Sequence, residues 1–441
     1  MKWIAGAMLL LLAGLLLKLS LLVFAMYVLL GALMFSRFFT RAWTDHVSAE
    51  RFCAQEALEI GQAADMTVRI TNQGRLAIPW LLVEDSLPRD ALIQVPHRLQ
   101  AGGSRLALER LRPGASLGLH YQVTFLMRGY YQLGPLCLET GDVFGLHRRF
   151  VVLADPHYVL VPPKVLPLEG YSLASRRPIG EIRVAHRLFE DPTRIAGVRP
   201  YQQGDPMNRI HWRATARTDV LHSRIFESSC VVGATFLLDF HVKSFPGGAT
   251  VAAAELAVVT VSSIANAVCL MGQQIGLISN GRDAADRIRA EGWRAEFGAR
   301  GDARKKAADT GPNDRLRPVI VETGRGADRL TGMLETLARL ELTDGLEFGA
   351  MVEESIAKIR RDATVVAVLG EVTPETAAAL GDLSRRGFLV TAIKVSFGGE
   401  EIPLWAQPPE WAEMLLAHDI DFRMVTSEQS ISNLCAEAIV R

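Results

Sequence analysis

Val231-Val232-Gly233-Ala234-Thr235-Phe236-Leu237-Leu238-Asp239-Phe240 decides the fold of the larger part of this 441-residue chain. It is an apolar run of strand length with no polar alternation, the pattern of a strand covered on both faces. Elements of both kinds then follow in turn. Thr250–Met271 reads as a long helix of small apolar residues, Gln274–Ser279 as a strand and Ala327–Leu340 as a helix. Thr364–Leu369, Phe388–Val395 and Asp421–Val425 read as strands, separated by helices over Pro374–Arg386 and Glu410–His418 and followed by one over Ser427–Ile439. Thr373-Pro374-Glu375 and Thr426-Ser427-Glu428 have the chemistry of helix starts. The order predicts an α/β doubly wound sheet over residues 231–441, with helices on both faces. Residues 281–318 interrupt it with ten basic and seven acidic side chains and few apolar ones, as an exposed insertion would.

Working outward, residues 41–165 read as β. Ala57–Ile60, Met66–Thr71, Trp80–Glu84, Leu117–Phe125 and Tyr130–Leu138 are strand-like. Asn72-Gln73-Gly74, Pro113-Gly114 and Arg128-Gly129 supply turns between them. Met66, Val68 and Ile70 alternate with Thr67, Arg69 and Thr71, so one face is buried. Short strands at this spacing predict a β-sandwich domain without a catalytic constellation.

Residues 1–40 are of another kind. Of the first 39 residues 31 are apolar, and no acid precedes Asp45. The run is too long for a signal peptide and nearly twice the roughly 20 residues of one span. Lys18 and Ser20 interrupt it, so it reads as a transmembrane helical hairpin, Trp3–Leu17 and Leu19–Phe39. A single long tilted span with an external body is the alternative. Lys2, Arg37 and Arg41 flank the outer ends, which favours a cytoplasmic body, with the bilayer contacted through residues 3–39.

This segment also explains the composition. The chain has 48 basic and 48 acidic residues and a mean hydropathy of +0.16. Without residues 1–39 the body has 45 basic against 48 acidic side chains and ordinary hydropathy. Nothing in that balance suggests a nucleic-acid coat or a disordered tail. Cys53, Cys137, Cys230, Cys269 and Cys435 form neither a CxxC nor a zinc spacing, and five in 441 residues make no disulfide scaffold.

Residues 166–230 form a linker of distinct chemistry. From Arg176 to Glu227 there are ten Arg, six acids and no Lys. Arginine alone suits bidentate carboxylate or phosphate pairing. Its densest part is Gly197-Val198-Arg199-Pro200-Tyr201-Gln202-Gln203-Gly204-Asp205-Pro206-Met207-Asn208-Arg209-Ile210-His211-Trp212-Arg213-Ala214-Thr215-Ala216-Arg217. Here the chain resembles the bacterial membrane-anchored family known as "domain of unknown function 58". Arg199, Tyr201, Gly204, Asp205, Arg209, Ile210, Trp212, Thr215, Ala216, Arg217, Phe226 and Glu227 follow its motif in order, although Ile210 follows Arg209 directly. Arg128-Gly129-Tyr130, Gly134-Pro135 and Asp142-Val143-Phe144-Gly145-Leu146 are similar to a second signature, and the amino-terminal hairpin fits as well. The resemblance implies a von Willebrand factor A-like carboxy-terminal domain. It also implies association with MoxR-type AAA+ ATPases and transglutaminase-like membrane proteins, with no established enzymatic activity.

Four chemical readings compete. A competent A domain binds Mg²⁺ through an Asp-x-Ser-x-Ser loop. The corresponding Asp239-Phe240-His241-Val242-Lys243 offers an imidazole and a lysine instead, so Asp239 is a weak metal candidate, expected to pair with an Arg or cap a turn. An enzyme using Asp205 and His211 for proton transfer is the second reading. No nucleophile elbow, P-loop or His-Glu-x-x-His stands beside them. Nucleic-acid binding through Arg, Tyr201 and Trp212 is disfavoured by the interleaved acids. The favoured reading is a non-enzymatic, membrane-anchored scaffold without cofactor. Its Arg199, Arg209, His211, Trp212, Arg213 and Arg217 would either brace the domains, paired with Asp205, Asp219, Glu227 or Asp239, or dock a partner. Trp405, Pro408, Pro409 and Trp411 form a second aromatic candidate surface.

Overall fold

The computed structural model describes residues 2–53, 58–93, 95–142, 147–168, 190–200, 210–218, 220–228, 233–247, 250–291, 317–360, 363–398, 409–418 and 420–432. The chain forms two compact units. One is built on Met1–Lys164, with Leu337–Leu340 joined to it, and the other on Val165–Arg282 and Glu341–Arg441.

The first unit begins with two apolar helices, α1 (Lys2–Leu16) and α2 (Ser20–Thr44). The break falls at Lys18, which adopts a left-handed φ of 53°. Gly14 lets the helices approach, because a Cβ there would lie 3.1 Å from the Leu22 side chain. At 1.5 Å per residue the 15 residues of α1 cover only about 22 Å. The 25 residues of α2 are long and apolar enough to cross a membrane, and the helix runs past Phe39 to Thr44. One later helix, α5 (Thr250–Leu270), passes the same length test, but it is a core helix with 78% of its apolar window buried.

Behind them lie two antiparallel sheets. β1 (Val47–Cys53), β2 (Ala63–Asn72), β6 (Ser116–Phe125) and β4 (Leu99–Gly103) form one in that order. β5 (Leu106–Leu111), β3 (Ile78–Asp85), β8 (Leu136–Gly141) and β9 (Arg148–Ala154) form the other, and β7 (Gly129–Leu133) pairs with β10 (His157–Val161). Met66, Val68 and Ile70 enter a core shared with Leu81, Val83, Leu136 and Leu138 of the second sheet. A buried polar clasp joins the sheets. Arg51 of β1 grips Asp85 of β3 with two nitrogens, and the Tyr121 hydroxyl of β6 donates to the same carboxylate at 2.7 Å. Burial and the adjoining carboxylate both push the Tyr121 phenol far up, so it stays a donor.

Two strand expectations need correction. Of Ala57–Ile60, Leu58 and Glu59 are irregular and Ile60 opens a turn, Ala57 lies outside the described residues, and Leu58 enters the core. The run Tyr130–Leu138 is divided by Gly134-Pro135 into β7 and β8. The Arg128 signature also has a structural account. Its buried guanidinium donates to the carbonyls of Leu337, Ala338 and Leu340, where a helix ends with unsatisfied acceptors. Asp142 accepts the His147 N–H at 2.8 Å.

The second unit contains a six-stranded mixed sheet. β13 (Gly233–Leu238), β14 (Gln274–Ser279), β18 (Thr364–Leu369), β19 (Leu389–Val395) and β20 (Asp421–Val425) run parallel, and β16 (Val319–Gly324) adds antiparallel to β14. The spatial order β16-β14-β13-β18-β19-β20 reads 3-2-1-4-5-6 by chain position. All six residues of β13 are buried, as the opening run predicts. Leu237, Val365, Ala367 and Val390 pack against α8 (Phe348–Ser355), α9 (Pro374–Arg385) and α10 (Glu410–Leu416), and α5 contacts β13, β14, β18 and β19. Helix starts follow local chemistry. Thr373 Oγ1 accepts the Thr376 N–H ahead of Pro374, and Ser427 Oγ accepts the Ser430 N–H at the head of α11 (Glu428–Ser432).

Two features depart from expectation. β16 and α8 were not anticipated. The stretch expected as an exposed insertion opens with order, since the two-residue β15 (Arg282–Asp283) and α6 (Ala284–Glu291) lie in it and Ala284 is buried. The expected last helix is described only as far as Ser432. The remaining elements are α3 (Arg89–Ile93), α7 (Ala327–Arg339) and the short β17 (Leu340–Glu341).

Candidate functional site

Part of the Arg-rich motif forms a small self-contained fold. β11 (Glu190–Pro200) and β12 (His222–Ser228) pair as an antiparallel ribbon, with Arg199 opposite Ser223 and Pro200 opposite His222. The seven-residue helix α4 (Trp212–Thr218) leads back into β12. Phe226 and Glu227 take backbone positions on β12. Tyr201, Gly204, Asp205, Arg209 and Asp219 lie outside the described residues, so the ion pairs expected of Asp205 and Asp219 lie outside them too.

Hydrogen bonds explain the local path. Ile210 and Ser223 are buried and form a bridge, and the His211 N–H donates to the His222 carbonyl at 2.8 Å. His211 Nδ1 accepts the Ala214 N–H at 3.0 Å, so the imidazole satisfies one of the donors orphaned at the helix start. Thr215 Oγ1 donates to the His211 carbonyl and accepts the His222 N–H, both at 3.1 Å. Thr218 Oγ1 lies 3.2 Å from His222 Nδ1. His211 is thus engaged as a helix cap through the nitrogen that a proton-transfer role on that side would need.

The same bonds decide which way the helix faces. At 100° per residue, Ala214, Thr215 and Thr218 share one side. Trp212, Ala216, Arg213 and Arg217 occupy the other, and all four are exposed. Trp212 keeps 63% of its surface in solvent. Arg213 and Arg217 make no ion pair among the described residues. Val198, Val220 and Leu221 on the ribbon are exposed as well. The helix presents a large aromatic beside two exposed guanidiniums one turn apart.

A second polar cluster lies at the carboxyl end of β13, where the strand order reverses between β13 and β18. Open α/β sheets bind ligands at such a point. Asp239 is 2% exposed. Its Oδ1 accepts from Asn280 Nδ2 at 2.9 Å and from the His241 N–H at 3.2 Å, and its Oδ2 accepts from the Ser244 hydroxyl. Asn280 in turn accepts the Phe240 N–H at 2.6 Å and donates to the Leu346 carbonyl at 3.0 Å. Burial pushes the Asp239 carboxyl up, and these hydrogen bonds oppose it.

Of the two roles expected of Asp239 it takes the turn cap, accepting the His241 N–H two residues on, and among the described residues it pairs with no arginine. Lys243 does not enter the crevice, for its side chain is 80% exposed and lies 3.5 Å from Glu347. Asn280 and Ser244 were missed, since neither stands at an Asp-x-Ser-x-Ser spacing. Among the described residues no group of three His, Cys, Asp or Glu side chains is placed to hold a metal ion. Nearby, Lys394 Nζ donates to the Gly370 carbonyl at 3.3 Å and lies 5.3 Å from the Trp411 ring, and burial pushes its pKa down. Trp411 also meets Phe422 edge-on at 5.1 Å, so this aromatic belongs to the core rather than to a free surface. Trp405 and Pro408 lie outside the described residues.

Residues 197–299 match the family model described as "Protein of unknown function DUF58", so the motif and the first strands of the mixed sheet constitute a DUF58 family domain. The chain is also a distant homologue of the uncharacterized protein YeaD of Bacillus subtilis (strain 168), with 24% identity over 237 residues, 53% of this chain. That alignment spans 56% of YeaD, about half the length of the curated relative. Solved structures give slighter likenesses. Proximal thread matrix protein 1 of the mussel byssus is 10% identical with a TM-score of 0.28, covering 47% of this chain and 46% of its own. An aerotolerance-related membrane protein of Bacteroides fragilis NCTC 9343 is 12% identical with a TM-score of 0.26, covering 46% of this chain and 96% of its own.

Proposed function

We propose that this protein is a membrane-anchored, non-enzymatic scaffold whose Arg-rich motif docks a cytoplasmic partner, such as a MoxR-type AAA+ ATPase. In this reading α1 and α2 anchor the chain in a bacterial inner membrane, the two antiparallel sheets form a β-sandwich, and the mixed sheet is a von Willebrand factor A-like domain without a bound metal. The observation behind it is the outward face of α4. Exposed Trp212 beside exposed Arg213 and Arg217 has the composition of an interface hot spot. The 3-2-1-4-5-6 sheet order agrees with a doubly wound domain, and the saturated Asp239 cluster agrees with a domain that uses contact rather than a cation.

The test is direct binding between the purified full chain in detergent and a purified MoxR-type ATPase. The wild type should bind, and a Trp212→Ala, Arg217→Glu variant should lose at least about tenfold in affinity. Equal binding by both would remove α4 as the docking face. No binding by either would remove this ATPase class as the partner.

A further inference from the structure

The carboxyl-terminal part of α2 has two faces with different tasks. Leu33, Ser36, Thr40 and Thr44 recur at helical spacing and are buried. Ser36 Oγ lies 3.1 Å from His147 Nδ1, and Arg149 of β9 donates to Asp45 at 2.7 Å and to the Arg41 carbonyl at 3.4 Å. These bonds fasten the end of the helix to the antiparallel sheets of its own unit. The rest of the helix surface is thereby turned outward, with Arg37 and Arg41 flanking the buried stripe and Phe35 and Phe38 farther round. It presents Phe35, Phe38, Arg37 and Arg41, all exposed, with the Phe39 ring between Phe35 and Trp43 and tilted to both. Arg37 and Arg41 are one turn apart and make no ion pair among the described residues.

Charge spacing sets the depth of this face. The 18 residues between Lys18 and Arg37 carry no charge, and at 1.5 Å per residue they cover about 27 Å. That is close to the roughly 30 Å of a hydrocarbon core. Arg37 and Arg41 therefore fall at the headgroup level, with Phe35 just inside it and Phe38 between the two, the arrangement of an interfacial belt. Two guanidiniums a turn apart match the oxygens of a phosphodiester.

We propose that Arg37 and Arg41 form a binding site for the phosphate of anionic phospholipids, which holds the β domain against the membrane surface. The proposal rests on the membrane reading of α2. Flotation of the full chain with vesicles of phosphatidylcholine alone, or mixed with phosphatidylglycerol, tests that reading. Native mass spectrometry of protein released from the mixed vesicles then tests the site. Wild type should float with both vesicles and retain phosphatidylglycerol over phosphatidylcholine. Arg37→Gln with Arg41→Gln should float equally well and lose about thirtyfold in that preference, while Arg37→Lys with Arg41→Lys keeps the charge without the fork and retains only part of it. Both variants should melt with the wild type, because the side chains they change are exposed. Flotation without lipid preference would overturn the headgroup site and leave the anchor standing. Failure to float would overturn the anchor itself. Displacement of retained lipid by inorganic phosphate would make this a free-anion site and overturn the lipid assignment.

Discussion

The Asp239 cluster and the α4 face are built from the same kinds of polar group and end in opposite states. Around Asp239, hydroxyl, amide and carboxylate satisfy one another in a buried cluster. On α4, two threonines and a histidine take up the local hydrogen bonding and leave Trp212, Arg213 and Arg217 in water. The difference teaches that the usual ligand crevice of a doubly wound sheet can be used up by its own fold. The exposed aromatic and arginine side chains instead stand on a short ribbon and helix beside it in sequence.

The sharpest way to break this contrast is at Asp239. Asp239→Ala should lower stability by about 3 kcal/mol by denaturant melting, since it strands three buried donors. Asp239→Asn keeps the shape and can still accept from Asn280 and the His241 amide, so it should stay within about 1 kcal/mol of wild type. If the asparagine variant falls as far as the alanine one, a cation that needs the charge sits there after all. Next in size, Asn280→Ala should lose about 2 kcal/mol, because it uncouples the Phe240 amide and the Leu346 carbonyl together.

The same residue predicts a pH signature. Burial raises the folded-state pKa of Asp239, so the folded protein binds that proton more tightly than the unfolded chain does. Wild-type stability relative to Asp239→Asn should therefore decline as pH climbs from about 4 through the raised value, and level off above it. The neighbouring titratable group is His241, so His241→Gln in both backgrounds isolates the carboxyl. A flat difference across that range would mean the carboxylate is as well solvated folded as unfolded.

On the other side of the contrast the effects are smaller. His211→Ala should cost about 1 kcal/mol through loss of the α4 cap. Trp212→Ala and Arg217→Ala should each change the melt by under about 0.5 kcal/mol, because both side chains face solvent. A larger loss from either would mean that the motif braces the fold rather than offering a surface.

Legibility in the sequence followed burial on both faces. The β13 run, the Thr373-Pro374 and Ser427 starts and the Lys18 break could all be read because a local property set each one. β16 was missed because Val319–Gly324 is a half-exposed edge strand whose partner is distant in the chain. β1, β4, β5 and β9 were missed for a related reason, since partial exposure blurs their alternation. At the candidate site, the motif's density announced Trp212 and Arg217, but not that Thr215 and Thr218 would turn them outward. Asn280 could not be tied to Asp239 from spacing, because 41 residues and a whole βαβ unit separate them.

Gly370, at the carboxyl end of β18, has a consequence for how this crevice can change. A side chain there would run into the Ser244 carbonyl oxygen and the Phe245 ring. An acidic residue at 370, which would add a hard oxygen ligand facing Asp239, cannot enter until the 244–245 turn has moved away. That turn is held in place by the hydroxyl that Ser244 gives to Asp239. Building a cation site here would thus need at least two changes, because the turn must move before an acid at 370 can enter.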